Sequence, residues 1–384
     1  MSAPDPRLVD RVRARLAAEV VEPTAQSVAE ALRAETGLRG RETVLDVVDA
    51  LQRETRGAGE LQPLLDTAGV ADVVVNGPRQ VLVDRGRGLE RTSVRFADDG
   101  AVRRLAQRLA AQAGRRLDDA SPWVDGRLRD GTRLHAVLAP LARPGTSISL
   151  RVPARRSFTL DDLAAAGSVG PEASRLLVDI VASRASFLVT GGTGTGKTTL
   201  LATLLGLVPD DERVVLVEDS AELALDHPHV VALEARPANA EGAGLVTVRD
   251  LVRQALRMRP DRLVVGEVRG AEVVDLLAAL NTGHEGGCGT VHATSAADVP
   301  ARLEALGVAA GLSRVAVHSQ IAACLDIVVH LRRLRDGLRR VEEVAVTEAD
   351  GDVVRCVTAG GVGADGRWHD GPGLARLRRV LDRA

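Results

Sequence analysis

Lys197 is the only lysine in the chain, and every other residue in the combined lysine and arginine count of 50 is an arginine. It lies in a segment that fits the pattern G-x-x-x-x-G-K-[ST] of phosphate-binding loops. The segment comprises Gly191, Gly192, Thr193, Gly194, Thr195, Gly196, Lys197, Thr198 and Thr199. The glycines let successive backbone N–H groups surround a polyphosphate at the start of a helix. A compact ammonium group fits beside the β- and γ-phosphates, where a planar guanidinium would be too large. The segment therefore predicts a nucleoside triphosphate site inside a strand–loop–helix unit.

The flanking residues supply the strand and the helix that such a loop requires. The apolar run 187–189 before the loop predicts a strand, and the run 199–205 after it predicts a helix. The hydroxyl of Thr198 is expected to ligate Mg²⁺, as the last position of the pattern does in phosphate-binding loops. The sequence thus predicts ATP and Mg²⁺ as cofactors.

Composition restricts the possible partners. Aromatic residues make up 1% of the chain, so stacking platforms for single-stranded nucleic acid are nearly excluded. A formal net charge of −2 gives no general attraction to nucleic acid or anionic lipid. Three cysteines without a C-x-x-C pair fit a reducing compartment. Because no apolar stretch is long enough to span a membrane, we expect a cytoplasmic protein. The net charge and the scarcity of aromatic residues predict that it binds no nucleic acid stably.

The first part of the chain predicts helices followed by an α+β domain. Residues 1–60 are predicted to form a helical segment because their apolar residues are at helical spacing, and residues 61–155 are predicted to form an α+β N-terminal domain. The predicted helices of the first segment are 7–20, 25–35 and 42–55. The predicted elements of the second are strands at 70–75, 80–84, 91–96 and 147–151, a helix at 99–113 and a hairpin at 127–134.

The rest of the chain predicts an α/β domain at residues 169–384, joined to the first by a linker at 156–168. Strand and helix patterns alternate, which is typical of a mostly parallel sheet with helices on both faces. The alternating segments are 185–190, 198–207, 213–218, 229–234, 247–258, 262–266, 270–281 and 289–293. A terminal hairpin is predicted from 327–331 and 341–346 around Asp336-Gly337. Residues 350–384 are too rich in glycine for a prediction.

Two acidic clusters at strand ends are candidates for the chemistry of phosphate release. The strand 262–266 delivers Glu267 to the sheet edge where ligands bind in open α/β sheets. The position before it, where aspartate is usual, is Gly266, so we expect Glu267 to organise Mg²⁺ through water. Glu218 closes the preceding strand and is our candidate general base, supported by Asp219 and Glu222. An ordinary solvated loop is the alternative for this second cluster.

A glycine-rich loop with histidines at 281–293 is the third candidate element. Next to the sheet it could sense the γ-phosphate and relay its loss, with His292 as the candidate residue. His284, Cys288 and His292 are also spaced as zinc ligands could be, but neighbouring glycines make the segment a poor metal scaffold.

The order of these motifs resembles that of the secretion-superfamily ATPases of type II and type IV secretion and pilus assembly. The run 256–293 is most similar to the tight-adherence pilus and conjugal-transfer-associated branch, and Val75-Asn76-Gly77-Pro78 and 121–127 resemble its N-terminal domain. Two departures are that His135 replaces an asparagine usual in that branch and that the tetracysteine zinc motif of type II secretion ATPases is absent.

The resemblance implies a RecA-like P-loop ATPase domain in a homo-hexameric ring, with the N-terminal domain covering the nucleotide. It further implies that N-terminal arginines reach the phosphates, for which Arg133 and Arg151 are the candidates, followed by Arg127. The arginines around the terminal hairpin are predicted to be a solvated face, or secondarily a surface for an acidic partner or lipid headgroups. These are Arg332, Arg333, Arg335, Arg339 and Arg340.

The leading functional hypothesis is Mg²⁺-dependent ATP hydrolysis that powers pilus assembly or protein secretion at the cytoplasmic face of the inner membrane. An inner-membrane platform protein would be the partner, and the ATPase would be peripheral to the membrane through it. A DNA-transfer motor is the alternative within the class. A P-loop kinase and a nucleotide-gated scaffold with negligible hydrolysis are alternatives from other classes.

Overall fold

The computed structural model describes residues 11, 12, 15, 25–36, 57–86, 88–153, 157–236, 238, 242–281 and 286–383. The chain divides into two compact units, Met1–Pro153 and Ala154–Ala384. Of the helices predicted in the first segment, the middle one is confirmed as α1 (Ala25–Thr36). The helix predicted at 42–55 lies outside the described residues, as does most of the helix predicted at 7–20.

The first unit is built around an antiparallel sheet. Its strands are β1 (Asp72–Asn76), β2 (Val81–Asp84), β3 (Leu89–Arg91), β4 (Trp123–Arg127), β5 (Arg133–Val137) and β6 (Ser147–Arg151). They lie in the order β3-β2-β1-β6-β5-β4. The short helix α2 (Gln62–Leu65) precedes the sheet, and α3 (Asp99–Gln112) packs on it. Asp98 caps α3 by accepting a hydrogen bond from the backbone N–H of Ala101 at 2.7 Å.

The strand predicted at 91–96 is wrong, because pairing with β2 ends at Arg91. The hydroxyl of Thr92 donates to the carbonyl of Val81 at 3.1 Å and accepts from the N–H of Val94 at 3.2 Å. The guanidinium of Arg95 donates to the backbone carbonyls of Thr92 and Val94. These local side-chain bonds replace the ladder that the alternating pattern predicts.

The second unit contains a larger, mostly parallel sheet. Its strands are β7 (Phe187–Gly191), β8 (Val214–Glu218), β9 (Val230–Glu234), β10 (Arg262–Val268), β11 (Cys288–Val291), β12 (Ile327–Arg333), β13 (Arg339–Asp350), β14 (Val353–Val362) and β15 (Trp368–Asp370). The order is β15-β14-β13-β12-β7-β11-β10-β8-β9. Neighbouring strands pair in parallel from β12 through β7, β11, β10 and β8 to β9. On the other side of β12, strands β13, β14 and β15 continue the sheet with antiparallel pairing.

Helices cover both faces of this sheet, as the alternating pattern predicts. They are α4 (Leu160–Ala165), α5 (Pro171–Ala182), α6 (Lys197–Leu205), α7 (Val248–Ala255), α8 (Glu272–Asn281), α9 (Val299–Ala309), α10 (Arg314–Cys324) and α11 (Leu374–Leu381). One apolar core joins the sheet to α5, α6 and α11, and a second joins it to α7, α8, α9 and α10. Strands β7 and β8 are buried at every position, which explains the apolar runs 187–189 and 214–217 within them.

Two segments differ from the sequence-based expectation. The predicted linker contains α4, which is capped by reciprocal bonds between Thr159 and Asp162 and whose Leu160 belongs to the core of the second unit. The glycine-rich end of the chain, for which no structure was predicted, forms β14, β15 and α11. A Cβ on Gly360 would come within 2.6 Å of the Trp368 ring, so glycine here permits close packing. Within the described ranges, no helix is long and apolar enough to cross a membrane.

Candidate nucleotide site

The predicted phosphate-binding loop joins β7 to α6 with the backbone geometry that anion binding needs. Gly191, Gly194 and Gly196 have φ angles of 152°, 71° and 93°, which side-chain-bearing residues rarely adopt. A Cβ on Gly191 would lie 2.5 Å from the carbonyl oxygen of Leu331 on β12, so this glycine is also required by close packing. The hydroxyl of Thr195 donates to the carbonyl of Gly192 at 2.9 Å and closes the loop. The loop therefore presents its backbone N–H groups at the N-terminus of α6.

Lys197 lies folded over this loop with 7% of its surface exposed. Its ammonium group donates to the carbonyl of Gly192 at 3.0 Å and lies 3.3 Å from Nδ1 of His292. Because an ammonium group can only donate, Nδ1 of His292 is the acceptor in this contact. Burial lowers the pKa of Lys197, and the nearby Glu267 carboxylate opposes that shift. Polyphosphate oxygens would offer the ammonium group a charged acceptor in place of the carbonyl and the imidazole.

Glu267, on β10, contacts two charged or titratable side chains, those of Arg269 and His292. Oε2 accepts a hydrogen bond from the guanidinium of Arg269, and Oε1 lies 2.7 Å from Nε2 of His292. Burial opposes ionisation of Glu267, but Arg269, His292 and Lys197 outweigh it and lower the pKa of the carboxyl. Each carboxylate oxygen thus has one near polar neighbour, and each can accept a second hydrogen bond. An ionised carboxylate at this position fits the role of accepting from a water on Mg²⁺.

His292 lies between the phosphate loop and Glu267, since its two ring nitrogens face Lys197 and Glu267. Burial and the positive charge of Lys197 lower the pKa of His292, while Glu267 opposes the shift. A neutral imidazole with Nδ1 as acceptor fits these neighbours. The predicted histidine loop therefore reaches the phosphate loop through this residue, whereas His284 lies outside the described residues.

Glu218 ends β8 and has 4% of its surface exposed. Its Oε1 accepts from the backbone N–H groups of Glu222 and Leu223 at 2.9 and 3.0 Å. Burial raises the pKa of Glu218 to about 7, although those two bonds favour the charged form. A buried carboxyl that titrates near neutrality is suited to accept and release a proton. Asp219, predicted to support it, is exposed in the bend after the strand.

Gly266 lies against the side chain of Glu218, a contact that the sequence did not predict. A Cβ on Gly266 would come within 2.7 Å of Cγ of Glu218. The carboxylate from the neighbouring strand therefore occupies the space that an aspartate at position 266 would need. The carbonyl of Gly266 also accepts a hydrogen bond from the hydroxyl of Thr290 on β11 at 2.7 Å.

The three candidate arginines of the first unit lie in one row across its sheet. Arg133 on β5 is in register with Arg127 on β4 and with Arg151 on β6. Arg151 also forms an ion pair with Asp72 at 2.9 Å while remaining 58% exposed. The sequence does not predict this alignment, because it depends on the register in which β4, β5 and β6 pair.

The zinc alternative gains no support from the described side chains. Cys288 is fully buried, and burial raises the pKa of its thiol to about 12, which disfavours a thiolate ligand. The part of the chain that the structure describes contains no group of three or more potential metal-ligating side chains. His135, which departs from the usual asparagine, is exposed and lies 2.8 Å from the carboxylate of Asp125.

Comparison with known proteins gives concordant matches. The profile of the family described as "Type II/IV secretion system protein" matches residues 54–369. A putative conjugal transfer protein of Mycobacterium tuberculosis is 58% identical over 342 residues, which are 88% of this chain and 95% of that protein. The type IV secretion system protein PtlH of Bordetella pertussis is 32% identical over 309 residues, which cover 73% of this chain and 91% of PtlH.

Solved structures agree at the level of the fold. The ATPase DotB of Legionella pneumophila matches with a TM-score of 0.52 and 21% identity, over 76% of this chain and 80% of that one. The pilus retraction motor PilT with bound ADP matches with a TM-score of 0.51 and 20% identity, over 82% and 84% of the two chains. The fold is thus a RecA-like ATPase domain preceded by an N-terminal α+β domain. The chain belongs to the type II/IV secretion system protein family and is one of the secretion-superfamily ATPases.

Proposed function

We propose that this ATPase requires Mg²⁺ and converts ATP hydrolysis into movement that drives pilus assembly or protein secretion. The observation that carries the proposal is the contact chain from Lys197 through His292 to Glu267, beside a buried Glu218 that titrates near pH 7. It combines a phosphate-binding lysine, a carboxylate for metal-bound water and a candidate base within one sheet edge.

In the proposed mechanism, the loop backbone and Lys197 hold the β- and γ-phosphates, as positioning accounts for most phosphoryl-transfer catalysis. Glu218 accepts a proton from the attacking water, for which its raised pKa and buried position suit it. His292 contacts both Lys197 and Glu267. Loss of the γ-phosphate would change these contacts and so shift the glycine-rich loop to which His292 belongs.

Thr198 and Glu267 are the residues that would hold Mg²⁺. Thr198 is the second residue of α6 and follows Lys197 directly, and the lowered pKa of Glu267 keeps its carboxylate charged. When bound, the ion supplies positive charge to the β- and γ-phosphate oxygens.

The cellular role is proposed from the relatives. Those relatives are named for conjugal transfer and type IV secretion. We propose a homo-hexameric ring that docks at the cytoplasmic face of the inner membrane on a platform protein of a pilus or secretion apparatus. The arginine row of the first unit would then complete the sites.

The test is the ATPase rate per subunit across protein concentration, with Lys197→Ala as the blank. A rate that climbs with concentration and vanishes in the variant supports sites completed between subunits. A flat, lysine-dependent rate would remove the ring mechanism. Phosphate release no higher than that of the variant, even with the membrane partner added, would contradict the proposed hydrolysis and favour a scaffold or a kinase.

A DNA-transfer motor is the second candidate, because a relative of high identity is named as a putative conjugal transfer protein. The net charge of −2 and the scarcity of aromatic side chains weigh against it. Tight binding to DNA that weakens steeply with salt would favour this candidate over protein export.

A further inference from the structure

The terminal hairpin of β12 and β13 lies directly beside the phosphate loop. Strand β12 pairs in parallel with β7, and its Leu331 is in register with Gly191 at the start of the loop. The carbonyl oxygen of Leu331 lies 2.5 Å from the position that a Cβ on Gly191 would take. The end of β12 and the start of β13 are therefore fixed against the loop by backbone packing.

The arginines of this hairpin are divided between its two faces. Arg332 is in register with Arg340, and Arg333 is in register with Arg339. Adjacent residues on a strand point to opposite faces, so these are two cross-strand arginine pairs on different faces. Like charges directly opposite each other repel unless an anion lies between them.

Glu342 supplies the anion for the first pair. Its carboxylate accepts from Arg332 at 3.4 Å and from Arg340 at 2.8 Å. These two arginines therefore form a carboxylate-bridged cluster within the hairpin, and their positive charge is partly offset.

The second pair lies against the phosphate loop. A terminal nitrogen of Arg333 is 3.8 Å from the position of a Cβ on Gly194, and Cδ of Arg339 is 3.5 Å from that of a Cβ on Gly196. Nε of Arg339 is buried and has no hydrogen-bond partner among the described residues. A buried guanidinium N–H without an acceptor is costly, and phosphate oxygens are well matched to it.

The position of this pair indicates which part of a nucleotide it meets. Strand β7 lies between β11 and β12, and the contact of Lys197 with His292 lies on the β11 side, as does the Glu267 carboxylate that influences Lys197 electrostatically. A triphosphate whose γ-phosphate lay on the β11 side would extend across the loop toward β12. Its α-phosphate and nucleoside would then be the groups nearest to Arg333 and Arg339.

We infer that Arg333 and Arg339 form a second cationic arm of the phosphate site and bind the α-phosphate end of the nucleotide held by the same chain. This inference rests on the proposed nucleotide site. It assigns a binding role to residues that the sequence placed on a solvated face. Because ADP and ATP share the α-phosphate, the arm contributes to the affinity for both nucleotides.

The test compares two double variants that remove the same charge from the same hairpin. Arg333→Ala with Arg339→Ala removes the arm, whereas Arg332→Ala with Arg340→Ala removes the pair that Glu342 bridges. Calorimetric titration with ADP and with a non-hydrolysable ATP analogue measures each Kd. We expect the first variant to bind both nucleotides at least about tenfold more weakly, by an equal factor, and the second to stay within about twofold of the wild type.

Controls separate the possible failures. Arg333→Lys with Arg339→Lys should regain part of the affinity, and the melting temperature of each variant shows whether it folds. Equal losses in both double variants, or none in either, would overturn the inference. The inference would also be overturned if the Arg333→Ala, Arg339→Ala variant lost binding to phosphatidylglycerol vesicles while its Kd for ADP stayed unchanged. That result would assign the arm to lipid phosphate. If the wild type bound ADP no better than Lys197→Ala, the proposed nucleotide site itself would fall.

Discussion

Glu218 gives the site a pH dependence that can be measured. Burial raises the pKa of this carboxyl from 4.5 to about 7, so the proton-accepting form predominates only above that pH. We expect kcat/KM to fall about tenfold per unit as pH decreases below about 7. Glu218→Gln should reduce kcat by about 10²-fold or more while nucleotide binding persists. If kcat/KM of Glu218→Gln kept the wild-type pH profile, Glu218 would not be the base.

The same shift has a consequence for stability. Because the pKa of Glu218 is higher in the folded than in the unfolded state, its stabilising contribution is complete below pH 4.5 and is lost as pH rises through about 7. Glu218→Gln avoids the buried charge, so it should stabilise the protein at pH 8 by on the order of 1–3 kcal/mol and much less at pH 5. Thermal unfolding at the two pH values measures the difference, and a stabilisation independent of pH would contradict the buried-charge explanation.

Substitution of Gly266 tests whether the position of the Glu218 carboxylate matters for the reaction. A Cβ at position 266 would meet Cγ of Glu218 at 2.7 Å, so Gly266→Ala must displace the carboxylate. We expect kcat to drop about tenfold or more with a smaller change in the Kd for ADP, because misplacement of a catalytic group by about 1 Å is costly. Gly170→Ala is the control, since a Cβ there has no neighbour within 4 Å. Equal activity in the two variants would contradict the positioning role of Gly266.

Sequence patterns predicted the individual residues of the loop but not the contacts between distant segments. Lys197 and the loop glycines follow from a local motif whose geometry is fixed within nine residues. The contact of Gly266 with Glu218 and the approach of Arg339 to Gly196 depend on which strands are neighbours. Strand order is a long-range property, so periodicity along the chain does not contain it.

At the scale of elements, the alternating strands and helices were predictable because each is long enough to show its period. Strands β8 and β9 and helix α8 begin and end within a few residues of their predicted limits. Strands β14 and β15 were not predictable, because glycines that pack against Trp368 and the backbone of Thr358 have the sequence pattern of loop residues. Glycines in a sequence favour the prediction of a flexible loop, but in a folded strand they also permit close packing.

Strand β10 begins with a buried ion-pair network, at the opposite end from Glu267. Arg262 is 1% exposed, and its guanidinium donates to the carboxylate of Glu212 at 2.6 Å and to the carbonyl of Val181 at 3.0 Å. Arg184 pairs with the same carboxylate at 3.0 Å. We expect Arg262→Ala to lower the free energy of unfolding by about 3–5 kcal/mol, because it opens a cavity and leaves Glu212 with one partner.

Denaturant unfolding measures this loss, and Arg253→Ala is the matched control. Arg253 is half exposed and pairs with Asp275 at 2.8 Å, and its removal should cost much less than that of Arg262, because Asp275 keeps its ion pair with Arg249. Equal losses in the two variants would show that burial does not distinguish these pairs. The Kd for ADP should change little in either variant, since both arginines lie away from the phosphate loop.

At the scale of the whole molecule, we propose that the arginine row of the first unit acts on a bound nucleotide in the assembled ring. Arg127, Arg133 and Arg151 are in register on three neighbouring strands, so they present a linear array of positive charge. The proposed ring would bring such an array to a nucleotide, where a phosphate-contacting arginine is worth about 10³–10⁵ in rate. We therefore expect Arg133→Ala to lower kcat by about 10³-fold with little change in the Kd for ADP.

Mixing two inactive variants decides whether this arginine acts within its own subunit or on the next one. Lys197→Ala lacks the phosphate lysine and Arg133→Ala lacks the arginine, so neither homo-oligomer should hydrolyse ATP at an appreciable rate. If the arginine acts across a head-to-tail interface, an equal mixture contains intact sites at about one quarter of positions, because each half-site is intact in half of the subunits. The mixture should then recover about one quarter of the wild-type rate. If lysine and arginine must lie on the same chain, no mixed site is complete, and the rate stays at the level of the separate variants.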